Sequence, residues 1–205
     1  TDDRIKIIKN EKNQGLPKSL NHGISVSNGE FIIRVDADDI CLQNRFEVLV
    51  NNITKKENSN IDVLGSNAYF VNKENKIIGQ SSMPINSEDF KKEIYKRNPF
   101  IHSSVIIRKS FLLKNSLYDK KFIKAQDYDL WLRGYKYNNY KNLEKILLNY
   151  RFLNSKDSQS DFYGFYAIFL NCLRKHKFIF SIVYSLRYLS VIFLKKLGYK
   201  SKSLY

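Results

Sequence analysis

With 205 residues and 43% hydrophobic content, the chain can bury one sizeable core and little besides. Its 35 Lys+Arg against 20 Asp+Glu give a net charge of +15, and no acid follows Asp161 while eight cations do, so about half of the excess sits in the last fifth. Such a field attracts nucleic acid, anionic lipid or phosphorylated substrates. No zinc finger, aromatic RNA-binding signature or basic zipper is present, and Cys41 and Cys172 lack metal-like spacing, which fits a reducing compartment.

In chain order, Arg4–Ile8 reads as a short strand and Leu16–Ser27 as a helix, with Leu16, Leu20 and Ile24 at four-residue spacing and Pro17 in its first turn. Glu30–Val35 is a strand with too few polar residues to face solvent, the pattern of a strand buried on both faces in a parallel sheet. Gln43–Lys56 is an amphipathic helix with Phe46, Leu49, Val50 and Ile53 inward. Ile61–Gly79 forms two strands around a turn at Asn72–Asn75, and Ser87 caps the helix that follows. Ser103–Ser110 is a strand, Ala125–Lys136 a helix and Lys145–Phe152 a last strand. The alternation predicts an α/β layered domain, a mainly parallel mixed sheet flanked by helices.

The stretch VDADDI, residues 35–40, sets three carboxylates at the end of a buried strand. If the strand continues, Asp36 and Asp38 share a face and Asp39 takes the other. Crowded carboxylates repel unless a cation bridges them, and a hard divalent ion, Mn²⁺ or Mg²⁺, suits an all-oxygen set completed by substrate phosphates. An EF-hand is a worse fit, because Cys41 stands where that loop needs glycine and Ile40 where it needs a ligand. Further on, AQDYDLWLRGYK places Asp127 and Asp129 two apart on a helix, where they cannot share a face. One is expected at a cleft and the other in solvent, with Trp131 as a core anchor.

Residues 13–47, NQGLPKSLNHGISVSNGEFIIRVDADDICLQNRFE, resemble the metal-binding half of family 2 inverting glycosyltransferases of the GT-A fold. Asn13, Gly15, Asn21, Gly23, Gly29, Glu30, Asp36, Asp38 and Asp39 fit the family's pattern one by one, and Leu20 stands where many members carry arginine. The second acidic stretch resembles the family's [E/Q]-D-x-[D/E]-L-W element. The resemblance implies a transfer from a nucleoside-diphosphate sugar to a hydroxyl of a saccharide or lipid-linked acceptor, in bacterial surface polysaccharide synthesis. Asp127 would be the catalytic base, Asp36, Asp38 and Asp39 the Mn²⁺ or Mg²⁺ ligands, and Asp36 and Asp38 also donor contacts. His102 would meet acceptor or diphosphate. Arg151, in an element similar to Y-R-x-H-x-x-S, would pair with phosphate, although Leu153 replaces that element's histidine.

The resemblance also implies that the domain's first nucleotide-binding strands precede Thr1. The domain is expected over residues 1–160 and a basic amphipathic helical tail over 161–205. The apolar run 178–194 is short for a membrane span and carries Arg187, so residues 174–205 are expected to lie on an anionic membrane surface, peripheral to the inner face of the plasma membrane. No nucleic acid partner is expected. The competing readings are a nucleotidyltransferase and a non-catalytic basic module for membrane or nucleic acid.

Overall fold

A computed structural model describes residues 2–137, 139–152 and 158–174, with isolated positions at 183, 186 and 190. Helix α1, Leu16–Val26, follows Gly15, whose φ of 80° is reached easily without a Cβ. The chain then enters β1, Phe31–Ile33, and after the acidic loop makes β2, Ile40–Cys41, and α2, Arg45–Ile53. The long strand β3, Ile61–Val71, turns back into β4, Ile77–Gln80. Helix α3, Ser87–Glu93, leads to β5, Ile106–Arg108, and α4, Lys109–Lys114. Helix α5, Gln126–Gly134, strand β6, Asn139–Arg151, and helix α6, Ser158–Arg174, complete the set.

The strands form one sheet in the order β1-β5-β3-β6-β2, with β4 on β3. It is mixed and flanked by helices, as expected, but its parallel part is the single long β3–β6 pairing; the other pairings are antiparallel. Strand β6 starts at Asn139, six residues before the predicted Lys145, because pairing with β3 runs from Ile61 to Val71. The turn between β3 and β4 falls where predicted. Asn72 Oδ1 accepts from the N–H groups of Glu74 and Lys76, and Asn75 takes a left-handed φ of 60°.

Four local expectations are corrected. Residues 4–8 are not a strand: Ile5 and Ile7 are 70% and 91% exposed, and no neighbouring strand among the described residues satisfies their backbone. Strand β1 is half-buried rather than enclosed, because among the described residues it lies at the end of the strand order and pairs only with β5. On α2 the inward stripe is Arg45, Leu49 and Ile53, leaving Phe46 and Val50 exposed. The cap of α3 is Asn86, whose side chain accepts from Glu88 and Asp89 N–H, and not Ser87.

The main core gathers aromatic rings on the face of the sheet that Val63 and Ile107 share, while Leu64 and Ile106, on the other face, pack with Leu49 and Ile53 of α2. Trp131 is fully buried, edge-on to Phe100 at 5.2 Å and stacked on Phe111 at 6.1 Å, the anchor role predicted for it. A Cβ on Gly65 would come within 2.1 Å of Asn142 Oδ1, so glycine lets β3 approach that side chain. Asn142 Nδ2 donates to the carbonyls of Pro84 and Pro99, fixing the turn that presents Asn98. Helix α6 lays Ala167, Ile168 and Cys172 into the same core. Among the described residues no helix is long and apolar enough to cross a membrane. The run 178–194 and, beyond Arg174, the basic tail lie outside the described residues apart from the isolated positions.

Candidate active site

Strand β1 does not continue into the acids. After Ile33 the chain leaves the sheet, and Asp39 N–H donates to the Asp36 carbonyl at 3.3 Å, closing a turn. Strict alternation is therefore lost, and all three acids of the turn, Asp36, Asp38 and Asp39, bring one carboxylate oxygen each within 4.8 Å of one another. Asp38 is exposed, while Asp36 and Asp39 are half-buried. Arg34, two residues before Asp36 and 8% exposed, donates from both terminal nitrogens to the Asp36 carboxylate. Ser103 Oγ donates to Asp39 Oδ2, and the Arg151 backbone N–H donates to Asp39 Oδ1 at 2.8 Å.

These environments push the acids upward. Burial raises the Asp36 carboxyl above its usual range, and the charges of Asp38 and Asp127 add to the effect against the pull of Arg34. Burial also raises Asp39, with Asp36 and Asp38 adding to it and the bonds from Ser103 and Arg151 opposing it. The group is short of positive charge, and every donor atom is a hard oxygen. Among the described residues nothing bonds the Asp38 carboxylate, and Asp36 and Asp39 keep lone pairs beyond those already used. The residues present fit Mg²⁺ or Mn²⁺.

Asp127 lies in the first turn of α5 and is 7% exposed. Asn98 Nδ2 donates to its Oδ2 at 2.7 Å. Burial raises its carboxyl, opposed chiefly by that bond and by the Tyr128 N–H. Asp129 is not in solvent as predicted. It is fully buried on the other face of α5, accepting from Arg133 Nε at 2.7 Å and Arg174 Nη1 at 3.2 Å. A carboxylate with two guanidinium partners needs no solvent, which is how Asp129 can be buried behind the cleft-facing Asp127.

His102 sits in a single turn, residues 102–104, ahead of β5. Its Nε2 is 2.8 Å from Tyr118 OH, and burial, aided by the charge of Arg34, holds its pKa well below the ordinary value, so the ring is neutral. Arg151 is largely committed within the protein. Its Nε donates to the Asp38 carbonyl at 2.9 Å, Nη1 to the carbonyls of Asn72 and Lys73, and Nη2 to Asn75 Oδ1 at 2.6 Å. That leaves one of five guanidinium donors uncommitted.

One cleft of about 620 Å³ is lined by all six predicted residues, Asp36, Asp38, Asp39, His102, Asp127 and Arg151. Helix α6 contributes Phe165 and Ile168 to its far wall. Sequence reasoning missed Arg34, Asn98, Ser103 and Arg45. Arg34 was discoverable, since it shares the Asp36 side of an extended segment. Arg45 is 1% exposed and donates to the carbonyls of Arg34 and Ser103, joining the acid loop to the His102 turn. Nothing local marks Ser103 or Asn98, whose partners lie 64 and 29 residues away.

The mixed sheet with acids beyond β1 and a buried aspartate across the cleft defines a GT-A-like α/β protein. The chain belongs to Glycosyl transferase family 2, whose profile matches residues 1–122. It is 34% identical over 175 residues to an uncharacterized glycosyltransferase of Methanocaldococcus jannaschii, covering 82% of this chain and 59% of that protein. It is 32% identical over 151 residues to an Escherichia coli UDP-Gal:α-D-GlcNAc-diphosphoundecaprenol β-1,3-galactosyltransferase, covering 72% of this chain and 53% of the relative. The amylovoran biosynthesis glycosyltransferase AmsE of Erwinia amylovora is 33% identical over 129 residues, 63% of this chain and 47% of AmsE. The chain thus spans about half the length of the curated relatives it matches. Its fold is similar to that of S. aureus TarS (residues 1–349), with a TM-score of 0.56 at 19% identity over 80% of this chain and 47% of that one.

Proposed function

We propose that the protein is a metal-dependent inverting glycosyltransferase that moves a sugar from a nucleoside-diphosphate donor to a hydroxyl acceptor. One observation carries this reading: the three clustered carboxylates and the buried, raised Asp127 line the same cleft. Asp36, Asp38 and Asp39 would hold Mn²⁺ or Mg²⁺. When bound, that ion supplies positive charge against which a leaving diphosphate is stabilised. Asp127 accepts the proton of the attacking hydroxyl, its Oδ2 held in place by Asn98. Its raised pKa makes it a stronger base than an exposed aspartate, with the proton moving onto a carboxylate oxygen as the new glycosidic bond forms. Attack opposite the departing diphosphate inverts the anomeric centre.

His102 serves the donor side as a neutral hydrogen-bonding ring. Arg151 offers at most its remaining Nη2 donor to phosphate and otherwise holds the acid loop against the β3–β4 turn. The acceptor is a saccharide or a lipid-linked saccharide, a reading supported by the diphosphoundecaprenol carrier named for the E. coli relative. The amylovoran relative supports a place in surface polysaccharide synthesis. The domain comprises residues 1–160 together with helix α6, which packs into its core, with residues 174–205 resting on the inner face of the plasma membrane.

A thermal-shift screen with Mn²⁺ and a panel of nucleotide sugars tests the reading. Stabilisation by one donor, lost when the metal is chelated, is the expected outcome. Stabilisation indifferent to the metal would overturn the metal-dependent assignment.

A further inference from the structure

A second hollow of about 810 Å³ lies between the segment after α4 and the C-terminal end of α6. Lys120, Lys121, Arg133 and Arg174 line it against a single acid, Asp119. The four cations are not equivalent. Arg133 is consumed within the protein, its Nε on Asp129 and its terminal nitrogens on the carbonyls of Asn115 and Leu117. Arg174 is shared between Asp129 at 3.2 Å and Asp119 at 3.9 Å, and is 42% exposed. The ammonium groups of Lys120 and Lys121 are exposed and make no ion pair among the described residues. In sequence, exposed aliphatic side chains bracket the lining segment 115–121: Leu113, 59% exposed beside the exposed Lys114, and Ile123, 58% exposed.

We propose that this face, formed by residues 113–123 and the end of α6, docks on an anionic lipid bilayer. Lysines attract the negative leaflet, and aliphatic side chains among them gain by entering the headgroup and acyl boundary. A free phosphate or a nucleic acid would use the lysines but gain nothing from Leu113 and Ile123. The face also adjoins the cleft. Tyr118, between these two residues in sequence, bonds His102, and Ile123 itself lines the cleft, four residues before Asp127. A bilayer held there brings a membrane-borne acceptor to the side of the cleft that carries Asp127. The surface is distinct from the tail beyond Arg174 and stands whether or not the sugar chemistry above is correct.

Co-sedimentation of the full chain with phosphatidylglycerol–phosphatidylcholine vesicles, against phosphatidylcholine alone, tests it. Wild type binds the anionic vesicles, and added salt weakens that binding. Lys120→Gln with Lys121→Gln lowers partitioning about 30-fold, roughly fivefold for each lysine. The equally exposed pair Lys55→Gln with Lys56→Gln, at the end of α2, changes it by less than about threefold. Leu113→Ser with Ile123→Ser lowers it about tenfold at unchanged charge. All six positions are exposed, and unchanged melting curves confirm that the variants fold. The proposal is overturned by absent binding, by equal losses from both lysine pairs, by no loss from Lys120 and Lys121, or by RNA displacing the vesicles with no dependence on Leu113 and Ile123.

Discussion

Asp127 and Asp129 lie two residues apart on α5, one turned to the cleft and the other to the packed face behind it. Both are less than a tenth exposed. Asp129 accepts from two arginines, so its charge is neutralised where it stands. Asp127 accepts from the neutral amide of Asn98 and from backbone N–H groups, and among the described residues no cation bonds it. The same contrast holds on a larger scale. The acids of the 36–39 loop share one bonded guanidinium, that of Arg34, whereas the rear of α5 carries more cation than acid. Incomplete neutralisation is costly to the fold and useful to chemistry, and it marks the side of the helix that does the work.

The largest effect should come from Asp127→Asn. Turnover is expected to fall about 10³-fold while the melting temperature holds or rises, because the amide keeps the shape and sheds a buried charge. The pH dependence follows from the raised carboxyl. A raised acid contributes its full stability below the ordinary aspartate pKa of about 3.9 and loses it as pH rises through the folded value. Denaturant melts should therefore show Asp127→Asn gaining on wild type across that window and matching it below. In wild type the acidic limb of the turnover profile should lie above the ordinary aspartate range.

Asp129→Asn should do the reverse. Removing the shared acid leaves Arg133 and Arg174 facing each other, at an expected loss of about 3 kcal/mol by chemical denaturation. A smaller change is expected from Ser103→Ala, which frees one oxygen of Asp39 and should weaken Mn²⁺ binding about tenfold through lost orientation, read by metal titration. The smallest belongs to His102→Gln. It should lower stability by about 1 kcal/mol at pH 8 through the lost bond to Tyr118, and by less at pH 6, because there the unfolded chain's histidine takes up a proton that the buried native ring cannot.

What the sequence disclosed and what it withheld divides along the range of the interactions. The acid loop, the Asp127 motif and the Trp131 anchor are local patterns, and each stands where it was read. The strand–helix alternation indicated a mixed sheet flanked by helices, but not that β3 and β6 would be its parallel pair, since their register joins residues about 80 apart. Asp129 was misjudged because helical spacing separates two faces without saying that both are covered. Arg174, which covers one, is 45 residues away. Asp39 is oriented by groups 64 and 112 residues distant, and no window of local sequence contains them. Residues 4–8 show the converse failure: their alternation is that of a strand, and pairing decides whether one forms.

The most direct test is calorimetric titration of nucleoside diphosphates in the presence of Mn²⁺ into wild type, Asp38→Asn and Asp127→Asn. If the acid loop holds the metal and donor while Asp127 serves only the transfer, Asp38→Asn loses metal-dependent binding and Asp127→Asn binds like wild type. Equal binding by both variants, or equal loss in both, would contradict that division of labour.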